Sequence, residues 1–188
     1  MRARVVALVV LAAGCGPGGP SYDPAAKAAA EARAAQAVDA LGGALMKELK
    51  AALEAGGPSG AIPVCSEKAP LVAKGLAQDG LTVRRTSLRW RNEANAPDEF
   101  EKSMLEGWER DGKAEPVSMV VDGPEGRELR YLRPIRLQPV CVACHGPADE
   151  LVADVKTEIA RRYPQDHATD YKDGDLRGAF SVRVRMRK

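Results

Sequence analysis

The sequence has 188 residues, which suits one ordinary domain with a short additional segment. Of these residues 45% are hydrophobic and 29% are charged, a composition typical of a soluble globular protein rather than a disordered one. The 28 basic residues fall to 26 if Arg2 and Arg4 are removed with an export signal, against 26 acidic residues, and this neutral balance gives no support to nucleic-acid binding.

The N-terminus has the pattern of an export signal. Arg2 and Arg4 precede an apolar run over residues 5–13, which is too short for a membrane-spanning helix of roughly 20 residues. The segment Leu11–Cys15, followed by glycine and proline, resembles a bacterial lipoprotein processing site, although the leucine stands one position earlier than usual. We therefore expect a signal peptide at 1–14, lipidation of Cys15, a tether at 15–23 and a domain at 24–188. The protein would be anchored to a membrane through lipid and face the periplasm, the alternative being a soluble secreted or periplasmic protein.

The first half of the chain predicts helices around one strand. A long amphipathic helix is expected over 23–55, where Val38, Leu41 and Leu45 recur at helical spacing. The glycine-rich segment 56–60 predicts its end, followed by an extended segment at 61–65 and a short helix at 70–78. A strand at 81–88 and a turn at 92–97 come next. Another helix is expected from Pro97 to about Asp111, because proline suits the first helical position.

The second half predicts most of a sheet. Strands near 116–121 and 127–135 are separated by a turn-forming segment, which indicates an antiparallel hairpin. A helix is expected at 148–163, a loop at 164–178 and a strand at 179–186, in which apolar and polar residues alternate. Together these elements predict an α+β domain in which helices flank an antiparallel sheet of four to five strands.

The segment Cys141-Val142-Ala143-Cys144-His145 is C-x-x-C-H, the attachment motif of c-type haem. One turn of backbone presents the thiols of Cys141 and Cys144 to the two porphyrin vinyl groups, and His145 can bind the iron as proximal ligand. The export signal agrees with this interpretation, since the attachment takes place outside the cytoplasm. We expect one covalently bound haem c.

Two other interpretations of the cysteines are open. Cys141 and Cys144 alone have the spacing of a thiol–disulfide centre, but such centres usually begin a helix within a βαβ unit. A zinc site would use Cys141, Cys144, His145 and Cys65, although structural zinc usually takes its ligands as two separated pairs.

The second axial ligand of the iron is a separate question. Cys65 is left without a disulfide partner when the other three cysteines have the roles given above. A thiolate ligand would stabilise ferric iron and lower the reduction potential, and the alternative is a small buried side chain. The other candidate ligands are His167, Met46, Met104, Met119 and Met186. The candidate partners of the haem propionates are Arg85, Arg91 and Arg133, each of which is equally compatible with a surface charge.

Four separated stretches, residues 61–70, 91–98, 134–146 and 171–182, resemble a family of c-type haem proteins with a PAS-like fold that is catalogued as a domain of unknown function. The resemblance implies a PAS-like sheet, His145 as proximal ligand, Cys65 as distal ligand and a role in redox sensing. Glu93 and Asp170 depart from the family pattern, where proline and glycine are usual.

Two functional classes follow for a haem protein of this kind. A redox sensor would need a signalling or redox partner, because the chain shows no output domain. An electron-transfer cytochrome would keep both axial ligands while the iron cycles. A haem enzyme would need an open iron site and a base, for which only His167 is available, so we expect a protein that is not an enzyme.

Overall fold

A four-stranded antiparallel sheet forms the centre of the computed structural model, which describes residues 22–123 and 125–186. Its strands are β1 (Leu81–Thr86), β2 (Val117–Gly123), β3 (Gly126–Arg136) and β4 (Leu176–Arg185), in the order β1-β4-β3-β2. The expected hairpin is the β2–β3 pair. The predicted α+β class with a four-stranded sheet is confirmed, and the arrangement is consistent with a PAS-like fold.

The long N-terminal helix is also confirmed, and the glycine-rich segment interrupts it at the expected place, although helical structure resumes beyond it. Helix α1 spans Pro24–Pro63 and is capped by the Asp23 side chain, which accepts a hydrogen bond from the Ala25 amide at 2.9 Å. Gly56 and Gly57 break its regularity, and Gly57 has φ of 63°. The backbone of both glycines is non-helical, so two helical segments meet at a kink here.

The extended segment expected at 61–65 is wrong. These residues finish α1 and enter a π-helical turn over Val64–Lys68, which leads directly into α2 (Ala69–Leu76). Backbone hydrogen bonds with the preceding turn persist here despite Pro58 and Pro63. The proline and glycine content, which favours an irregular chain, is overridden by the packing of Ile62 against α5 (Ala153–Arg162).

The remaining helices lie close to their predicted positions. Helix α3 spans Glu99–Asp111 and begins after Pro97, because Asp98 and Glu101 form a capping box. Helix α4 spans Pro139–His145 and carries the cysteine motif. Helix α5 is shorter than the predicted 148–163, since residues 148–151 form turns.

The two faces of the sheet have different coverings. Helix α1 packs on one face, and the buried residues of this cluster are Ala30, Ala34, Ala37, Val38, Leu41, Leu81, Val83, Leu129, Val182 and Val184. Helix α3 covers part of the other face through Leu105, which packs with Leu132 and Ala179. The segments that follow β3 lie at the end of the sheet where β1 stops and β4 begins.

None of the helices in the described residues has the length and apolar character of a membrane span. The predicted signal peptide and the lipidation site Cys15 lie outside the described residues, so the expected domain boundaries at 1–14, 15–23 and 24–188 stay predictions.

Candidate functional site

A cavity of about 220 Å³ lies between α1, the π-helical turn, α4 and the end of the sheet where β1 stops. The four residues with predicted cofactor roles, Cys65, Cys141, Cys144 and His145, all line this cavity. The rest of its wall is largely apolar, with these side chains prominent: Leu45, Leu49, Leu53, Ile62, Val64 and Phe180. Such a wall excludes water and suits a large flat apolar ligand.

Helix α4 presents the two thiols of the motif. It begins at Pro139, where the missing amide hydrogen of proline costs nothing, and ends at His145. Cys141 and Cys144 are three positions apart and therefore lie on the same side of this short helix. Both thiols are free and half-buried.

The imidazole of His145 is held in one tautomer. Its Nδ1 lies 2.7 Å from the carbonyl oxygen of Ala168, so Nδ1 carries the proton and donates it to that oxygen. In the described part of the chain Nε2 has no hydrogen-bond partner. Burial, and then the positive charges of Arg177 and Arg91, hold the pKa of His145 well below its usual value. A neutral ring with a free Nε2 and a fixed Nδ1–H is the state in which histidine binds a metal.

Cys65 reaches the cavity from the π-helical turn, a type of segment that recurs at functional sites. The turn is tied to α5, because Arg162 donates a hydrogen bond to the Ser66 hydroxyl at 3.1 Å and forms an ion pair with Glu67. The Cys65 thiol is free. The fold thus brings Cys65, which lies 76 positions before Cys141 in the chain, into the cavity that Cys141, Cys144 and His145 also line.

The other candidate axial ligands separate into two groups. Met46 lines the cavity from α1. His167 packs its ring edge-on against Trp90, with ring centres 4.7 Å apart, and is not among the lining residues. The remaining methionines, Met104, Met119 and Met186, do not line the cavity either.

Arg91 lines the cavity but is mainly a structural clamp. Its guanidinium forms two 3.0 Å hydrogen bonds with the carboxylate of Asp166. It also donates to the carbonyl oxygens of Cys144 at 2.7 Å and Ala168 at 3.1 Å. Arg91 therefore connects the end of α4 to the loop that holds His145.

The other two predicted arginines have different positions. Arg85 lines the cavity, whereas Arg133 does not and instead forms an ion pair with Asp39 at 2.7 Å. The structure therefore brings Arg85 and Arg91 to the cysteine motif and leaves Arg133 away from it.

Arg177 is a cavity residue that sequence reasoning missed, because residues 164–178 were predicted as loop. Strand β4 begins at Leu176, and the pairing of β3 with β4 shifts between Ile135 and Arg136. Ile135 pairs with Gly178 and Arg136 with Leu176, so Arg177 is the extra residue of a β-bulge. The signal in the sequence was Gly178, since a glycine at the start of a strand often marks a bulge.

The two alternative uses of the cysteines find little support in this geometry. Among the described residues no group of three or more histidine, cysteine and acidic side chains is arranged to hold a metal ion. Burial raises the pKa of the Cys144 thiol, whereas a redox-active thiol usually has a lowered pKa.

Comparison with known proteins gives two matches. The sequence model of the Tll0287-like family matches residues 23–185. The crystal structure of the cyanobacterial heme-protein Tll0287 is similar with a TM-score of 0.59, at 22% identity over 89% of this chain and 100% of that chain. No curated protein matches significantly. At this identity the structural match bears on the fold, which agrees with the helix-and-sheet arrangement described above.

Proposed function

Because this chain belongs to the Tll0287-like family, we propose that it binds one c-type haem in the cavity beside α4 and serves redox sensing in the periplasm. The observation that carries the proposal is the convergence of Cys141, Cys144, His145 and Cys65 on one apolar cavity. The protein whose crystal structure is similar, Tll0287, is a cyanobacterial heme-protein, which supports the same cofactor.

The residues at the cavity fit this group. Two free thiols on one face of α4, a neutral imidazole with a free Nε2 and an apolar wall are the donor set that a c-type haem requires. When bound, the haem supplies a one-electron Fe(III)/Fe(II) couple. His145 is the proposed proximal ligand, oriented by the carbonyl oxygen of Ala168.

Cys141 and Cys144 are the proposed attachment points. In such an attachment each thiol would add across one vinyl group, so that a sulfur–carbon bond would replace the vinyl π bond and the thiol hydrogen would go to the neighbouring carbon. This addition consumes no oxidant. Helix α4 supports it by fixing both thiols on the same side before the reaction.

Cys65 is the proposed distal ligand and the element that responds to redox state. Its thiolate binds ferric iron more strongly than ferrous iron, because the anion stabilises the higher charge. Since Cys65 stands on the π-helical turn, release of this ligand would remove one of the contacts that hold the segment between α1 and α2, leaving those of Ser66 and Glu67 with Arg162. We propose that a redox or signalling partner protein reads this change, and that Cys15 anchors the protein to the membrane by lipid. We propose no enzymatic activity and no nucleic-acid partner.

Covalent attachment is tested with protein made alongside a cytochrome c maturation system. We expect a coloured protein whose pigment stays with the polypeptide after acid–acetone extraction and gives the pyridine haemochrome spectrum of two thioether bonds. Cys141→Ser should change this spectrum to that of a single thioether bond, while Met46→Leu, at the same cavity, should leave it unchanged. A colourless protein, or a pigment that organic solvent removes, would overturn the proposal.

Distal ligation is tested with Cys65→Ala. We expect the ferric spectrum to lose its thiolate signature and the reduction potential to rise, because an anionic ligand has been removed. Met46→Leu is the matched control, since Met46 is the other sulfur residue of the cavity considered as a ligand. If both axial ligands stay in place in the ferric and the ferrous protein, the result favours an electron-transfer cytochrome over a redox sensor.

A further inference from the structure

The wall of the cavity carries positive charge that the protein itself does not neutralise. Among the described residues that line it there are four arginines and no aspartate or glutamate, the arginines being Arg85, Arg91, Arg136 and Arg177. Arg91 alone has a carboxylate partner, Asp166, and both side chains of this pair are about nine-tenths buried. Arg136 is exposed and donates to the carbonyl oxygen of Gly174. Arg85 and Arg177 are therefore the two arginines of the partly buried wall that have no carboxylate partner in the described residues.

Arg177 is directed to the cavity by the β-bulge. In a regular strand, successive side chains point to opposite faces of the sheet. Counted back from Phe180, which lines the cavity, residue 178 would lie on the cavity face and residue 177 on the opposite face. The extra residue in β4 reverses this order and brings Arg177 to the cavity. Its Nη1 donates to the Ser87 hydroxyl at 2.8 Å and to the Arg89 carbonyl oxygen at 2.9 Å. These bonds leave its Nε and Nη2 without a partner in the described residues.

Arg85 comes from the neighbouring strand. It pairs with Phe180 across β1 and β4 and lies on the same face of the sheet as Leu81 and Val83. Within the described residues its guanidinium makes no hydrogen bond or ion pair. An arginine turned toward an apolar cavity without a counter-charge is costly unless an anion binds there.

The charges of these arginines act on one another. Burial is the main reason that the pKa of Arg177 is lowered, and the neighbouring charges of Arg91 and Arg85 lower it further. Stacking on the Tyr171 ring, whose centre is 5.3 Å from the guanidinium carbon, compensates only in part. Asp166 neutralises Arg91 and the exposed Arg136 faces solvent, so Arg85 and Arg177 leave two positive charges without a counter-charge at the partly buried part of the wall.

We propose that Arg85 and Arg177 form a receptor for the two carboxylates of the bound tetrapyrrole, each arginine holding one propionate. This inference rests on the proposed function. It accounts for the charge: ferric iron, the porphyrin dianion and one thiolate sum to zero, and the two propionates then match the two unpaired arginines. Of the three candidates from the sequence, Arg85 is part of this receptor, whereas Arg91 and Arg133 are engaged by Asp166 and Asp39.

The test compares Arg85→Gln, Arg177→Gln, Arg177→Lys and the control Arg133→Gln in the haem-loaded protein. Each glutamine variant at the cavity should shift the propionate bending bands in resonance Raman spectra. Each should also change the Fe(III)/Fe(II) equilibrium by about tenfold, or about 59 mV toward lower potential, because loss of a positive charge favours ferric iron. Arg177→Lys keeps the charge and should keep the potential, and Arg133→Gln should change neither property.

The haem content of each protein is measured first, by the pyridine haemochrome. It distinguishes a failure of the receptor from a failure of the proposed function. Unchanged propionate bands in Arg85→Gln and Arg177→Gln at full haem content would overturn the receptor and leave the proposed function intact. If the unsubstituted protein carries no haem, the proposed function fails and the receptor with it. Arg85→Gln keeps the test decisive even if Arg177→Gln does not fold, because the Arg85 guanidinium makes no hydrogen bond or ion pair within the described residues.

Discussion

Arg91 shows how one residue of a recognisable motif can have a structural rather than a ligand-binding role. Its guanidinium joins the Asp166 carboxylate to two backbone carbonyl oxygens, one of them belonging to Cys144. Because the side chains of Arg91 and Asp166 are 8% and 10% exposed, water contributes little to their solvation. The clamp fixes the position of His145 relative to the cavity.

Replacement of Arg91 should therefore destabilise the protein strongly. We expect Arg91→Gln to lower the free energy of unfolding by about 3–5 kcal/mol, because it leaves Asp166 buried and unpaired. Chemical denaturation measures this loss. Arg133→Gln removes a more exposed ion pair with Asp39 and should cost about 1 kcal/mol or less. Equal losses in the two variants would contradict the assignment of Arg91 as a clamp.

At the scale of elements, two local irregularities shape the cavity. The π-helical turn carries Cys65, and the β-bulge at the start of β4 carries Arg177. The bulge depends on Gly178, whose φ is 149° and where an added Cβ would lie 2.2 Å from the carbonyl oxygen of Thr86. No other residue type fits this position without a shift of the backbone.

Substitution of Gly178 should therefore damage the fold and the cavity together. We expect Gly178→Ala to destabilise the protein by at least about 1–3 kcal/mol, through backbone strain and the contact with Thr86. Gly43→Ala is the control, because Gly43 lies inside α1 with open space around it, and alanine should there stabilise by about 0.5–1 kcal/mol. Thermal or chemical unfolding compares the two, and a neutral Gly178→Ala would argue against a rigid bulge.

At the scale of the whole molecule, Asp98 links α3 to the sheet. Its side chain accepts hydrogen bonds from the Glu101 amide at 2.9 Å and from Arg130 of β3 at 2.6 Å and Arg183 of β4 at 2.7 Å. Burial alone raises the pKa of Asp98, but these bonds and charges together hold it below its ordinary value. The ionised carboxylate is thus part of what joins the helical layer to the sheet.

This lowered pKa predicts an acid-sensitive contribution to stability. A carboxyl group whose folded pKa is depressed stabilises the protein at pH values above its unfolded pKa, about 3.9, and this stabilisation is lost as the pH falls through the folded pKa. Asp98→Asn keeps an N-cap but removes the charge. We expect its Tm to lie below that of the wild type at neutral pH, and the difference to shrink below about pH 4. Asp39→Asn, which removes an exposed carboxylate, is the control for loss of charge alone.

The sequence by itself determined the features whose causes are local. The C-x-x-C-H spacing places Cys141 and Cys144 on one side of a helical turn whatever surrounds it, and alternation in residues 180–186 predicts one buried face of a strand. The hairpin of β2 and β3 follows from two strand-forming segments around a turn. The capping box of Asp98 and Glu101 likewise lies within four residues. Pro97, predicted as the first helical residue, lies one position before the cap residue Asp98.

The tertiary structure alone decided which distant groups meet. Cys65 and His145 line one cavity because the helical segment that follows Gly57 packs Ile62 on α5, which no local pattern indicates. The roles of the arginines depended on their partners: Asp166 and Asp39 engage Arg91 and Arg133, and the bulge turns Arg177 inward. The sequence does not distinguish these arginines from one another. Their roles differ because the fold gives some of them a counter-charge and leaves others facing a cavity.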